Sequence, residues 1–104
     1  MALVLTSQNF QTEVLDSKLP VVIDVFATWC GPCKKLHPIL EEIQAERSDI
    51  KIAMVDIQAA PKTAQSCGVM SVPQVHFFKD GEKVDMFIGL QSKANISALI
   101  DKNL

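Results

Sequence analysis

The sequence lacks the features that mark several specialised classes of protein. It has no excess of positive charge, since ten Lys and Arg residues stand against twelve Asp and Glu, for a formal net charge of −2. Binding to nucleic acid or to an anionic membrane is therefore not expected. No apolar run reaches the roughly 18 residues of a transmembrane helix, and the first residues do not have the pattern of a secretory signal. These absences predict a cytoplasmic protein.

The chain also lacks internal repeats, low-complexity tracts and linkers rich in Gly and Ser. Such features would divide a chain into modules or repeats. A length of 104 residues is typical of one domain. We therefore expect a single domain over residues 1–104.

Cysteine is scarce, and its three occurrences are Cys30, Cys33 and Cys67. An odd number in a reducing compartment argues against a framework of structural disulfides. It favours catalytic, redox or metal chemistry instead. The cysteines are therefore the first candidates for a functional site.

Apolar patterning predicts strands that alternate with helices. Predicted strands lie at 3–5, 21–27, 50–57, 74–78 and 83–88. Predicted helices follow Thr6 or Ser7, begin near Cys33, span 61–67, and follow Ser92. The Asp80-Gly81 pair predicts a hairpin between the last two strands. This order predicts an α/β fold with a central mixed β-sheet flanked by helices on both faces.

The segment Trp29-Cys30-Gly31-Pro32-Cys33 lies where the predicted strand at 21–27 gives way to a helix. The free N–H groups and the positive end of the dipole at a helix N-terminus stabilise a thiolate at Cys30. The spacing of three residues brings Cys33 to the same side of the first turn, within reach of a disulfide. Pro32 suits a first helical turn. The segment predicts a dithiol that exchanges with substrate disulfides, with Cys30 attacking first and Cys33 resolving the mixed disulfide.

Asp24 is an ionisable residue within an otherwise apolar strand. Burial of a carboxylate costs several kcal/mol unless the group is protonated or paired. Such a residue is a candidate for a functional site. The alternative is an Asp that points outward from an edge strand.

The sequence resembles the thioredoxin family along its whole length. The matching positions are Ile23-Asp24, Phe26-Ala27, Trp29 to Lys34, Pro38, Pro61, Val72-Pro73, Phe77-Phe78, Gly81 and Gly89. The resemblance implies the thioredoxin fold and a monomeric, cytoplasmic protein-disulfide reductase with no bound cofactor. Its reducing equivalents would come from NADPH through thioredoxin reductase. Its clients would include peroxiredoxins, ribonucleotide reductase and methionine sulfoxide reductases.

The same resemblance assigns roles to individual residues. It implies that Asp24, with a raised pKa, is the general base for Cys33 and acts through water. It also implies a cis Val72–Pro73 bond facing the cysteines, with backbone groups of Val72 that pair with an extended substrate. We define the docking surface as the six residues that would contact this substrate: Trp29, Gly31, Pro32, Val72, Pro73 and Gly89.

The chain departs from the family pattern at positions near this site. Met54 occupies the position where the family usually has a Lys beside the buried Asp. We therefore expect Asp24 to lack a close cationic partner. Gln74 replaces the usual Thr after the loop proline, and Met70 replaces a residue that is often polar.

Other functions compete with that of a disulfide reductase. Cys30, Cys33, His37 and Cys67 could bind zinc, although His37 is interpreted as a surface residue of the helix. Covalent haem attachment is excluded because Lys34, not His, follows Cys33. A redox-inactive adaptor and a disulfide isomerase are the remaining alternatives. Cys67 is open to two interpretations, a buried small residue or a regulatory thiol, and Gly89 could be a plain turn glycine.

Overall fold

The structure is a computed structural model that describes residues 3–59, 61–62 and 71–104. Pro61 and Lys62 are helical, and the rest of the helix predicted at 61–67 lies outside the described residues. Cys67 and Met70 also lie outside them. The interpretations of those two residues therefore stay predictions.

The described chain alternates between strands and helices as its apolar pattern predicts. A π-helical turn at Gln11–Leu15 precedes strand β1 (Val21–Phe26) and helix α1 (Gly31–Glu46). Strands β2 (Lys51–Asp56), β3 (Gln74–Lys79) and β4 (Glu82–Ile88) follow, and helix α2 (Lys93–Asn103) completes the described elements.

The four strands form one mixed sheet in the order β2-β1-β3-β4. β1 is parallel to β2 and antiparallel to β3, which is in turn antiparallel to β4. The strand predicted at 3–5 is reduced to a bridge between Val4 and Met54, at the outer edge of β2. The predicted mixed sheet is confirmed, and β1 lies in its interior.

Each face of the sheet is covered by its own apolar core. Val22 and Phe77 pack with Leu36 and Leu40 of α1 and Ile96 of α2, so this side is called the helix face. Val21, Ile23 and Val25 pack on the other side, called the opposite face, with Leu5 and Val14. Residues of β1 alternate between the two cores because successive side chains of a strand point to opposite sides.

The first helical segment differs from the α-helix that its apolar positions predict. The Asp16 N–H donates to the Gln11 carbonyl over 2.8 Å, five residues earlier, which is the hydrogen bond of a π-helix. That wider turn brings Phe10 and Leu15, five residues apart, against the same core on the opposite face.

The turn between β3 and β4 has the conformation that its sequence predicts. Asp80 has φ 52° and Gly81 has φ 80°, and positive values at both positions are those of a type I′ hairpin turn. A Cβ on Gly81 would lie 2.8 Å from the Leu15 carbonyl oxygen. Glycine is therefore required here both by the backbone angle and by the close approach of the chain.

Candidate active site

Cys30 and Cys33 are joined by a disulfide at the beginning of α1. Cys30 is the N-cap residue, and its extended backbone (φ −90°, ψ 112°) marks the change from loop to helix. Its Cα lies 5.3 Å from that of Cys33. Cys30 is 5% exposed and Cys33 is fully buried. The predicted pair is therefore brought together, and Cys30 is the more accessible of the two.

The first turn of α1 supplies the electrostatic setting for a thiolate. The Cys33 N–H donates a hydrogen bond to Cys30 Sγ over 3.2 Å. Pro32 lies in this first turn, where a missing N–H removes no helical hydrogen bond. No acidic side chain lies in the turn to oppose the helix dipole. Negative charge on Cys30 Sγ is thus stabilised by the helix end once the disulfide is reduced.

The loop before β3 packs against the cysteines. Val72 lies against the small cluster formed by Ala27, Cys30 and Cys33, and the Val72–Pro73 peptide bond is cis. Pro73 itself is buried, whereas Val72 is half-buried. Of the two predicted loop residues, Val72 is the one that borders both the cysteines and solvent.

Gly89 directly follows β4 and is hydrogen-bonded to this loop. Its N–H donates to the Pro73 carbonyl over 2.9 Å. Its φ is +86°, and a Cβ built on it would meet no atom of the described residues within 4 Å. The glycine thus satisfies a backbone requirement and also leaves open space next to the loop, which agrees with both interpretations of this residue.

Exposed apolar residues occur beside the cysteines in the sequence and on both sides of Gly89. Trp29 is 66% exposed, and Gly31 and Pro32 are exposed beside it. Ile88 and Leu90, which flank Gly89, are large apolar side chains that are also exposed. Sequence reasoning assigned Ile88 to a strand and did not single out Leu90, although their position next to a candidate glycine was the available signal.

Asp24 is fully buried in the interior strand β1. In the sheet it pairs with Met54 of β2 and Val75 of β3, and Val75 packs in the core of the helix face. The Asp24 side chain therefore lies on the helix face. The alternative of an outward-facing residue on an edge strand is wrong. Burial raises the pKa of Asp24 from an ordinary 3.8 to about 7, because a charged carboxylate loses its hydration.

His37 lies next to Asp24, a contact that sequence reasoning missed. Its Nε2 lies 2.9 Å from Asp24 Oδ2, and its side chain is 23% exposed. Among the described residues, neither Asp24 oxygen has a hydrogen-bond partner, and His37 Nε2 has none either. Phe26 packs edge-on against the imidazole, with 4.9 Å between the ring centroids.

This contact corrects the prediction that His37 is a surface residue of α1, because its side chain lies against Asp24 and is 23% exposed. The prediction that Asp24 lacks a close cationic partner stays a prediction, because the imidazole is cationic only when protonated. Burial lowers the pKa of His37, an effect that the nearby Glu41 carboxylate opposes. The available signal was spacing, because His37 follows Cys33 by four residues and therefore lies on the same side of the helix.

Within the described residues, no group of three or more His, Cys, Asp or Glu side chains is arranged to hold a metal ion. Neither α1 nor α2 is long and apolar enough to cross a membrane.

Comparison with known proteins identifies relatives of the chain. The family model described as Thioredoxin matches residues 1–102. Thioredoxin from Rickettsia typhi is 45% identical over 100 residues, 95% of this chain and 95% of that protein. Thioredoxin from Mycobacterium bovis is 46% identical over 90 residues, 86% of this chain and 78% of that protein. Thioredoxin 1 from Synechococcus elongatus is 37% identical over 105 residues, 100% of this chain and 98% of that protein.

Proposed function

The chain belongs to the thioredoxin family and is a dithiol–disulfide oxidoreductase that reduces protein disulfides, and on this premise we propose how its residues divide the work. Cys30 is the attacking nucleophile and Cys33 resolves the mixed disulfide. Asp24 is the base for Cys33. The observation that carries this division is the difference in burial between the cysteines, since Cys30 borders the surface and Cys33 is enclosed. Cys33 also lies one turn before His37, the residue of α1 that contacts Asp24.

The reaction begins at Cys30. Its thiolate attacks one sulfur of a client disulfide and forms a new S–S bond, while the other client sulfur leaves with the electron pair as a thiolate. The Cys33 N–H that donates to Cys30 Sγ stabilises the charge before attack. The product of this step is a mixed disulfide between Cys30 and the client.

The second step needs Cys33 as a thiolate. The Cys33 thiol gives its proton to the Asp24 carboxylate, and its sulfur then attacks Cys30 Sγ. The bond between Cys30 and the client breaks, and the second client sulfur leaves as a thiolate. The client has gained two electrons and the cysteine pair has lost two. A carboxyl with a pKa of about 7 suits this role, because it can both accept and return a proton near neutral pH.

The docking surface positions the client for the first step. Trp29 supplies an exposed apolar side chain, and Val72 supplies backbone groups beside the cysteines. An extended peptide can pair with such a backbone as an added strand. Open space at Gly89 leaves room for that peptide. Ile88 and Leu90 extend the apolar area at this edge.

Membership of the family implies two kinds of partner, a reductase and client proteins with disulfides. The finer proposal is that thioredoxin reductase regenerates the dithiol with electrons from NADPH and that no cofactor is bound by the chain itself. Clients would include peroxiredoxins, ribonucleotide reductase and methionine sulfoxide reductases. We place the protein in the cytoplasm as a single-domain monomer, without nucleic-acid or membrane partners.

Reduction of insulin disulfides in the presence of thioredoxin reductase and NADPH tests this function. The wild type should consume NADPH and precipitate the insulin B chain, whereas Cys30→Ser and Cys33→Ser should do neither. Cys33→Ser should in addition retain client peptide as a mixed disulfide on Cys30, detected by mass spectrometry. Turnover that survives both substitutions would contradict the proposal and favour an adaptor whose cysteines are dispensable.

A further inference from the structure

We propose that His37 is a positioning residue for the reaction, which favours ionisation of Asp24 and connects that buried carboxyl group to solvent. This inference rests on the proposed role of Asp24 as the base for Cys33. The carboxylate and the imidazole are 2.9 Å apart between Oδ2 and Nε2. His37 would thus act on Asp24, and Asp24 on the reacting thiol.

The difference in burial between the two side chains gives proton transfer a direction, from the buried Asp24 to the partly exposed His37. Asp24 is fully enclosed, and the adjoining residues of the sheet at its position are Met54 and Val75, neither of which carries a charge or a titratable group. His37 touches Asp24 on one side and is 23% exposed. The imidazole is therefore a route by which a proton taken from Cys33 can leave the carboxyl for solvent.

Three other charged residues lie close in sequence to His37 on α1 or to Met54 on β2. Glu41 lies four residues after His37 on α1 and raises the pKa of the imidazole. Lys34 lies three residues before His37 on the same helix and is exposed. On β2, Asp56 lies two residues beyond Met54, and its Oδ1 accepts the N–H of Gln58 over 2.8 Å. Asp24 remains the carboxylate in contact with the ring.

Two titrating groups at this distance share their protons. A protonated His37 favours the Asp24 carboxylate, and an ionised Asp24 favours the imidazolium. Both inflections should therefore be visible at both side chains. Loss of the imidazolium should raise the pKa of Asp24 by about one unit, which is a tenfold change in the ionised fraction below that pKa. A permanent cation at position 37 should lower the pKa instead.

NMR titration of the reduced protein tests the coupling directly. The Asp24 carboxyl carbon and the His37 ring should report the same inflections in the wild type, and Asp24→Asn should lower the pKa of His37. The second histidine, His76, is an internal control, because it pairs with Ile23 on the opposite face of the sheet. Its titration should not follow that of Asp24. Independent single inflections at Asp24 and His37 would overturn the proposal.

Kinetics of client reduction against pH test the consequence. His37→Gln should move the pH profile to higher pH by about one unit, with up to a tenfold loss of rate below the inflection and recovery above it. His37→Lys should move the profile to lower pH. A structural role would shift both variants alike or neither, and either result would contradict the proposal.

The Asp24→Asn variant separates failure of this inference from failure of the proposed function. If Asp24→Asn slows reduction and His37→Gln and His37→Lys leave the pH profile unchanged, Asp24 is the base and the role of His37 is wrong. If Asp24→Asn also leaves the rate and the profile unchanged, the proposed base itself is wrong, and the inference about His37 is wrong with it.

Discussion

The two histidines of the chain lie on opposite faces of the same sheet, and each contacts one buried polar side chain. On the helix face, His37 lies beside Asp24 and reaches solvent. On the opposite face, His76 Nε2 lies 2.9 Å from Gln74 Oε1, and both of these side chains are buried. One imidazole thus contacts a carboxyl group that titrates, and the other contacts an amide that does not.

The difference shows how the surroundings decide what a buried imidazole can do. Burial lowers the pKa of His76 to about 4, helped by the positive charge of Lys83, so this ring is neutral at pH 7. A neutral ring held by an amide contributes to the structure of the sheet. The pair of Asp24 and His37 keeps a proton available near neutral pH, since burial raises the pKa of Asp24 to about 7. Only this pair suits proton transfer to and from a thiol.

The largest expected effect is an opposite dependence of stability on pH for the two pairs. Asp24 keeps its proton in the folded protein up to about pH 7 but loses it near 3.8 when unfolded, so its contribution falls as pH rises between these values. His76 binds its proton below about 4 when folded but below 6.5 when unfolded, so its contribution rises with pH in that window. Over its full pH window, the change in the free energy of unfolding is about 4 kcal/mol for Asp24 and about 3 kcal/mol for His76.

Urea denaturation of the reduced protein at several pH values measures these contributions. Asp24→Asn should remove the falling contribution, so that stability increases with pH between 4 and 6.5. His76→Gln should remove the rising contribution and give the opposite slope. Two variants with the slope of the wild type would show that the pairs do not differ in the way described.

An intermediate effect is expected when a cation is placed beside one pair alone. Met54→Lys puts an ammonium at the position that pairs with Asp24 in the sheet, and it should lower the pKa of Asp24 by about one unit. Met86→Lys is the matched control, because Met86 pairs with His76 and is also half-buried. Carboxyl NMR should register a shift for the first variant only. A shift of Asp24 in both would indicate a long-range charge effect.

The smallest effect is expected from loss of the hydrogen bond between Gln74 and Ser71. Gln74 Nε2 donates to Oγ of the exposed Ser71 over 3.4 Å. Ser71→Ala removes this long hydrogen bond and should change the free energy of unfolding by less than about 0.5 kcal/mol, with no change in the pH profile of reduction. A change in that profile would give the opposite face a part in the chemistry.

Much of the fold was predictable because local patterns and tertiary packing agree. The Asp80-Gly81 turn and the Ser92 cap, whose Oγ accepts the Asn95 N–H over 3.1 Å, both carry their signals within a few residues. The nearly continuous apolar run of β1 is likewise typical of a strand buried on both faces. The π-helical turn was not predictable, because Phe10 and Leu15 are set five residues apart by the core that they meet.

The site also has a part that could be predicted from the sequence and a part that could not. Cys30 and Cys33 could be assigned from a five-residue segment, and the pairing of Met54 with Asp24 agrees with the alignment to the family. The contact between Asp24 and His37 could not be predicted, because it depends on how α1 rotates and lies across β1. Spacing placed His37 on the side of the helix that carries Cys33 but did not identify its partner.

A single turnover of the reduced protein with a peptide disulfide tests the central claim most directly, which is that Asp24 serves Cys33 and not Cys30. Acid quenching and mass spectrometry would follow the mixed disulfide in the wild type and in Asp24→Asn at pH 7. We expect the mixed disulfide to form at the same rate in both proteins and to be resolved about 100-fold more slowly in the variant. Resolution at the wild-type rate, or an equal slowing of both steps, would contradict the assignment of Asp24 as the base for Cys33.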